Sequence, residues 1–190
     1  MNQYLIKIFI INLLIIFIGQ NYQSQSKKDL RLKIEGANQL FIEKKYEIAK
    51  DLWLEIAQEN ENNSNINYKT GVTLLEASNT KLKSLKYLKV AVKKVNKSYS
   101  PFDNSIVTAP IDVFYYIAKA FHYNNKQDSA IKYLNQFISV ASKKHYLKKD
   151  AEKLILQCEN YLTVSRNDNI HKQKKDLSIL NSDFDEMNPL

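Results

Sequence analysis

Apolar and small residues recur along much of the chain at the three- and four-residue spacing that places them on one face of an α-helix. The pattern is clearest between Ala109 and Phe137, where a short polar turn separates two such stretches. Ala118 and Ala130 lie where the two helices would cross, because only a short side chain fits at a close approach. The stretch therefore predicts an antiparallel helical hairpin, with an apolar seam formed by Ile117, Phe121, Ile131, Leu134 and Phe137.

The same arrangement of small residues occurs twice more upstream, which indicates an internal repeat. The first period is 34 residues, the length typical of a tetratricopeptide repeat, and the second is 47. The additional residues of the second period lie between Asn96 and Ala109 and are predicted to form a long loop. An ordinary helical bundle is the alternative, although a bundle does not require periodic small residues. The small residues pair as Ala37 with Ala49, Gly71 with Ser84, and Ala118 with Ala130, at separations of 12, 13 and 12 residues.

The predicted fold is an all-α tetratricopeptide-repeat superhelix of three helical hairpins and a C-terminal capping helix. Within a repeat domain at 27–163, the hairpins are placed at about 30–63, 64–97 and 110–143, and the capping helix at 145–163. The first four helices are expected at 29–44, 46–59, 66–78 and 81–95. Residues 164–190 are interpreted as a linker and the start of a following domain. The first helix is expected to make contacts through Leu32, Ala37, Leu40 and Phe41.

The N-terminus has the parts of a secretory signal peptide over residues 1–26. Lys7 precedes an apolar run from Ile8 to Gly19, and Ser24 and Ser26 stand at the spacing of a cleavage site. The run is shorter than the roughly 20 residues of a membrane-spanning helix. We therefore expect an exported protein in the periplasm or at the outer membrane, with no integral span after cleavage, and an uncleaved anchor is the alternative.

Composition argues against several other classes of protein. Three glycines in 190 residues are too few for an all-β fold or a phosphate-binding loop. The formal net charge is +8, and four lysines recur on one face of the fourth predicted helix. Since no aromatic or arginine side chain joins them there, we interpret a solvated face and no nucleic-acid partner. An acidic glycan or lipid head group is the alternative ligand for this face, whose lysines are Lys86, Lys89, Lys93 and Lys97.

The sequence lacks the residue patterns of common catalytic and metal sites. None of the three histidines is spaced for a metal site with another histidine or with Cys158, the only cysteine. Nucleotide-binding and hydrolase motifs are also missing from the sequence. Cys158 falls on an apolar helical stripe with Leu147, Ala151, Leu154, Ile155, Tyr161 and Leu162, which predicts a buried structural thiol. We therefore expect no enzyme, no cofactor and no metal.

The third hairpin, APIDVFYYIAKAFHYNNKQDSAIKYLNQF, resembles the N-terminal repeat domain of OmpA-like envelope proteins of the Bacteroidetes. The resemblance covers Leu30 to Thr163, and the segment Leu177 to Leu190 is similar to the one that leads into the first blade of that family's β-propeller. It implies an association with the outer membrane, and in some relatives with gliding motility or type IX secretion. The propeller, the peptidoglycan-binding domain and the lipid-anchoring cysteine of some relatives are missing here, so a peptidoglycan link is expected only through absent domains.

In this repeat class, the first helices of the hairpins line a concave groove that binds peptides or partner domains. We therefore predict a protein-interaction scaffold, and the alternative is a structural spacer that docks a following propeller and has no ligand site. The tyrosines of the groove would either grip an extended peptide or pack beneath the 96–109 loop or a following domain. The predicted partner-binding residues are Arg31, Asn38, Tyr68, Tyr115, Lys119, His122 and Tyr123.

Overall fold

The structure is a computed structural model that describes the backbone of residues 28–185 and the side chains of residues 28–166. The predicted signal peptide at 1–26 and the last five residues lie outside the described residues. Seven α-helices follow one another within residues 28–185. Their bounds are α1 at 28–42, α2 Tyr46–Glu59, α3 Ser64–Glu76, α4 Ser84–Ala91, α5 Val113–Tyr123, α6 Gln127–Val140 and α7 Lys148–Asp185.

The predicted fold class is confirmed: helices that neighbour each other in sequence pack against each other, as in a helical-repeat superhelix. α1 packs on α2 through a shared apolar cluster, α3 pairs with α4 and α5 with α6, and α7 packs on the last pair. The fourth helix is shorter than predicted. A 3-10 turn at Lys81–Lys83 precedes it, and it ends at Ala91 because the chain then enters a short strand, β1, at Val95–Asn96.

Small residues occupy the helix crossings, as the repeat pattern predicted. Ala37, Ala49, Ala118 and Ala130 are fully buried. At Gly71, a methyl group would lie 2.5 Å from Leu88 Cγ and 3.3 Å from the Leu88 backbone nitrogen, which is inside van der Waals contact. Helices α3 and α4 can therefore approach this closely only without a side chain at that position.

Each hairpin also turns through one residue with a left-handed backbone. Lys44, Asn79 and Asn125 have φ angles of 57°, 58° and 55°, and each lies between the two helices of its hairpin. In the first and third hairpins, the next backbone N–H donates to a carbonyl five residues back, as in a Schellman motif. The recurrence of one turn geometry supports the internal repeat independently of the small residues.

Two apolar clusters fill the interior. The smaller lies between the first two hairpins around the fully buried Trp53, and the larger spans α3 to α7 around residues such as Leu88 and Phe137. The expected contact at Leu32 is wrong, since this side chain is 56% exposed. Ile34, two residues later in α1, is the side chain that packs on the smaller cluster instead.

The long loop between the second and third hairpins is closed by a two-residue parallel pairing. β1 pairs with β2, Ala109–Pro110, with Val95 opposite Ala109 and Asn96 opposite Pro110. We call the intervening residues 97–108 the strap, because they cross the concave side of α1 and α3. Because the strap covers that side, α3 is buried around its whole circumference from Ser64 to Leu75.

Helix α7 begins three residues later than the predicted capping helix and continues to Asp185, well past the expected end at Thr163. Its inner stripe is buried as predicted at Leu147, Ala151, Leu154 and Cys158, the first of these just before the helix. Tyr161 was placed on that stripe and is instead exposed. Within the described residues, no helix combines the length and the apolarity that a bilayer crossing requires.

Candidate functional site

A cavity of about 460 Å³ opens on the concave side, between α1, α3, α5 and the start of α7. We call it the open groove. Its walls carry five tyrosines, two lysines and two carboxylates, and Pro101 of the strap forms one edge. The lining consists of Phe41, Ile42, Lys44, Tyr46, Tyr68, Glu76, Pro101, Tyr115, Tyr116, Lys119, Tyr146, Leu147 and Asp150.

The aromatic side chains of the groove form one connected set of edge-to-face contacts. Tyr116 lies at the centre, with its ring 5.3 Å from that of Tyr115 and 6.0 Å from that of Tyr68. Phe41 extends the set, at 6.2 Å from Tyr68 and 5.8 Å from Tyr46. Since these rings hold each other in place, the wall is ordered before any ligand arrives, which lowers the entropic cost of binding.

The phenols of the groove stay protonated at neutral pH. Burial raises the pKa of Tyr115 to about 12, with a further contribution from the charges of Asp150 and Glu76. Burial likewise raises the pKa of Tyr116, which lies near the same Glu76. A neutral phenol can donate a hydrogen bond as well as accept one, so the wall can bind carbonyl or carboxylate oxygens.

Two sets of side-chain contacts connect the elements around the groove. Lys119 Nζ donates to Glu76 Oε1 at 2.6 Å, which ties α5 to the end of α3. At the other end, His145 Nε2 lies 3.2 Å from Asp112 Oδ1, and the Tyr146 hydroxyl donates to the second oxygen of the same carboxylate. Both Asp112 contacts join the segment before α7 to the start of α5, so they fix the width of the groove.

A second, smaller cavity of about 210 Å³ continues from the open groove along α5 and α7. It shares Tyr115, Lys119 and Asp150 with the open groove. Tyr123 lies at its outer end, where Lys81 Nζ is 4.9 Å from the centre of the ring. The other lining residues are His122, Lys153, Leu154 and Gln157.

The structure brings together a histidine and a cysteine that the sequence analysis did not connect: His122 lies against Cys158. Its Nδ1 is 3.5 Å from Cys158 Sγ and 2.9 Å from Gln127 Oε1. The amide oxygen can only accept, so Nδ1 carries the proton and cannot take one from the thiol. Burial raises the pKa of Cys158 to about 11. Burial therefore keeps the thiol protonated at neutral pH, and a protonated thiol is a poor nucleophile.

The structure divides the predicted partner-binding residues into two sets. Tyr115, Lys119, His122 and Tyr123 line the two connected cavities, and Tyr68 stands at their border with the strap. Arg31 and Asn38 instead lie beside or beneath the strap. Sequence reasoning assigned groove positions only to one register of the first helices of the hairpins, so it missed lining residues that include Tyr46, Tyr116, Tyr146 and Asp150.

The strap is held by side chains that point from the first helices into the concave side. Asn38 Nδ2 donates to the Pro101 carbonyl at 2.9 Å, and Asn65 Nδ2 donates to the Ile106 carbonyl at 2.9 Å. The Tyr99 hydroxyl donates to Asn65 Oδ1 at 2.8 Å. The ring of Tyr99 also packs edge-on against Tyr68, at 6.2 Å. One of the predicted alternatives, tyrosines packed beneath the loop, therefore holds for Tyr68.

Comparison with known proteins adds no family to this description. No protein-family model matches the sequence, and none of the curated proteins matches it either. Within the residues that the structure describes, no three His, Cys, Asp or Glu side chains converge closely enough to hold a metal ion. The chemistry of the site is therefore that of its phenols, its one lysine–glutamate pair and its apolar walls.

Proposed function

We propose that this chain is a protein-interaction scaffold of the bacterial cell envelope, exported to the periplasm or the outer membrane, that binds a partner protein or peptide in the open groove. The observation that carries the proposal is the preformed wall of five tyrosines beside a cavity of about 460 Å³. Tyrosines are enriched where proteins bind each other, because each combines a large apolar face with a polar end.

The groove suits an extended segment of polypeptide better than a small molecule. It continues into the second cavity, so its polar groups are spread along a path, from Tyr46 past Lys119 to Tyr123. Neutral phenols along such a path can donate to successive backbone carbonyls, while their ring faces contact side chains between them. The Lys119–Glu76 pair can exchange with a charged side chain of either sign on the partner.

Variants of the groove test the proposal. The chain would be immobilised and exposed to an envelope extract of its source, and each captured protein would then be purified and titrated by calorimetry. We expect Tyr115→Ala combined with Lys119→Ala to weaken binding at least about a hundredfold, since residues of this kind contribute about 2 kcal/mol or more each at interface centres. Tyr146→Ala is the second variant, because Tyr146 is 69% exposed and its loss leaves the apolar core intact.

A matched control keeps the test specific. Tyr161→Ala combined with Lys149→Ala removes the same two residue types from exposed positions of α7 outside both cavities. Circular dichroism would check that every variant is folded. Binding that is equal in the groove variants and the control would contradict the proposal.

A structural spacer is the second candidate, and the length of α7 favours it. This helix has 38 residues, and none of its described side chains after Cys158 is buried, so it resembles an arm that connects the repeats to another module. A two-residue insertion after Val164 would rotate everything beyond it by about 200°. If the chain is a spacer, this insertion should fail to complement a strain that lacks the gene, whereas the groove variants should succeed. The scaffold proposal expects the opposite pattern.

A further inference from the structure

The concave side of α1 and α3 has the features of a second binding surface, separate from the open groove. We call it the strap site and define it by Asn38, Asn65 and Lys69, with Tyr68 at its border. Asn38 and Asn65 are 4% and 2% exposed, and both use their side-chain amides to bind backbone carbonyls of the strap. Asparagine side chains that donate to backbone carbonyls can bind a polypeptide largely independently of its sequence, because every residue has a backbone carbonyl.

The strap fills this site imperfectly. Asn38 Oδ1 is buried and has no hydrogen-bond partner, so half of this amide is unsatisfied while the strap is in place. Leaving a buried polar atom without a partner is costly, and a ligand that offers an N–H group at this point would remove the cost. The strap has Pro101 at the position where its carbonyl meets Asn38, and a proline has no N–H to give.

Lys69 is a second residue beneath the strap whose interactions are incomplete. Lys69 is 1% exposed. The charge of Asp103, a residue of the strap, favours the protonated form of Lys69. Burial nevertheless lowers the pKa of Lys69 to about 8. A ligand with a carboxylate closer to Lys69 would therefore bind with a charge complementarity that the strap provides only in part.

Two features of the strap favour its displacement from the strap site. Phe102, its largest apolar side chain, is 73% exposed and so contributes little to holding it down. Its ends stay fixed by the β1–β2 pairing at Asn96 and Ala109, so the strap can lift without unfolding the helices on either side. Lifting would uncover Asn38, Asn65 and Lys69 together.

We propose that the strap is a resident ligand of the strap site, and that an acidic, tyrosine-containing peptide segment of a partner protein binds there by displacing it. The tyrosine would take the place of Tyr99 between Tyr68 and Asn65, and two carbonyls would replace those of Pro101 and Ile106. A backbone N–H at Asn38 Oδ1 and a carboxylate at Lys69 would give the incoming segment its advantage. Apart from Tyr68 and Pro101, which lie at the border of both surfaces, this inference concerns residues outside the open groove, and it stands independently of the function proposed for it.

The test uses the strap itself as the probe. Residues 97–108 would be replaced by a Gly-Ser linker of the same length, which removes every side chain of the strap and keeps the length that a connection between parallel strands requires. A fluorescent peptide with the strap sequence, cyclised to bring its ends together, would then be titrated against the linker variant and the wild type. We expect saturable binding to the linker variant, and binding at least about tenfold weaker to the wild type because its own strap competes.

Three changes test the contacts that define the site. A peptide with Tyr99→Ala should bind at least about tenfold more weakly, since it lacks the hydrogen bond to Asn65 and the contact with Tyr68. A peptide in which Pro101 is replaced by alanine supplies an additional N–H and should bind more tightly than the native sequence if it reaches Asn38 Oδ1. Adding Asn65→Leu to the linker variant should abolish binding.

A full-length variant keeps the test decisive if the linker variant does not fold. Tyr99→Ala in the whole chain weakens the resident strap without replacing it, so the native peptide should bind this variant more tightly than the wild type. Open-groove variants such as Tyr146→Ala should leave peptide binding unchanged, which separates failure here from failure of the proposed function. A folded linker or Tyr99→Ala variant that shows no saturable binding, or binding indifferent to Asn65→Leu, would overturn the proposal.

Discussion

Replacing Lys69 with methionine should stabilise the folded chain at neutral pH. Lys69 lies on α3 beneath the strap, 1% exposed, with its Nζ 5.7 Å from the centre of the Trp53 ring. Burial lowers the pKa of Lys69 from its ordinary value of 10.5 to about 8, and the charge of Asp103 opposes this shift only in part. At pH 7 the folded chain therefore holds a positive charge that would be better solvated in the unfolded chain.

The size of the effect follows from that shift. The lowering of the pKa from 10.5 to about 8 corresponds to roughly 3 kcal/mol of free energy, since each pKa unit is worth about 1.4 kcal/mol. Methionine keeps an unbranched apolar stem of similar length but loses the contact of a cation with the Trp53 ring, worth about 0.5–2 kcal/mol. We expect a net gain of about 2 kcal/mol, or about 4–8 °C in melting temperature for a chain of this size.

The difference in stability between Lys69→Met and the wild type should depend on pH. Between pH 8 and 10.5 the unfolded chain keeps a proton on Lys69 that the folded chain has released, so the stability of the wild type rises with pH over this range. Below pH 8 both states are protonated and the full penalty is present. The difference in stability between Lys69→Met and the wild type should therefore be largest near pH 7 and should shrink towards pH 10.

Urea unfolding at a series of pH values, followed by circular dichroism, measures this difference directly. Comparing the two chains at each pH cancels the titration of the tyrosines, which both share. Lys132→Met is the matched control, because Lys132 is an exposed lysine on α6, and it should change stability by less than about 0.5 kcal/mol at any pH. A gap that stays constant from pH 7 to 10, or a Lys69→Met chain that is less stable at pH 7, would refute the reasoning.

Four further predictions concern the fold. Gly71→Ala should destabilise the chain by about 1–2 kcal/mol, because its methyl group meets Leu88 Cγ at 2.5 Å and overpacking outweighs the better helix propensity of alanine. Gly36→Ala, with open space around the new methyl group, should instead stabilise by about 1 kcal/mol, and thermal melts would show the opposite signs. Cys158 should not react with a thiol reagent until the chain is denatured, because it is fully buried and burial raises its pKa to about 11; rapid native-state labelling would contradict this. Asn63→Ala should cost about 1 kcal/mol in urea unfolding, because its side chain accepts from two backbone N–H groups at the start of α3, and an unchanged midpoint would speak against this cap.

Much of the fold could be predicted because helical burial leaves a periodic trace in sequence. The small residues at the crossings, such as Ala118 and Ala130, are dictated by the distance between helix axes, so they recur wherever the hairpin recurs. The bounds of α2 coincide with those predicted. The exposure of Leu32 could not be predicted from periodicity, which marks the apolar face of a helix but does not say whether a neighbour exists to cover it.

The open groove could be predicted only in part, for a related reason. Residues on α5 such as Tyr115 and Lys119 were found from the register of the repeat, which fixes the side of the helix that faces inward. Tyr46 and Tyr146 lie at the edges of helices outside that register, and only the packing of α7 on the third hairpin brings the latter into the wall. A register argument identifies the residues on one face, whereas a cavity also depends on every element that closes it.

The strap was the feature hardest to foresee, although α3 contains a signal for it. Two polar residues of this helix that lie beside the strap, Asn65 and Lys69, are about as deeply buried as its leucines. In an open groove such residues would face water and need no explanation, so their presence alone does not distinguish an open groove from a covered one. The distinguishing feature is the loop of Asn96 to Ala109, which supplies carbonyls of the kind that Asn65 binds.

The insertion between the second and third repeats therefore changes what the concave surface can do. In an uninterrupted superhelix the first helices of all three hairpins would form one continuous groove. Here the strap covers the part of the groove beside Asn38 and Asn65, with Pro101 at the dividing edge, and leaves open the part that α5 and the start of α7 form with the ends of α1 and α3. A partner that binds only the open part needs no rearrangement of the chain, whereas one that spans both parts must first lift the strap. The second kind of binding is weakened by the fraction of molecules in which the strap is closed, so changes that loosen the strap, such as Tyr99→Ala, should strengthen it without touching the open groove.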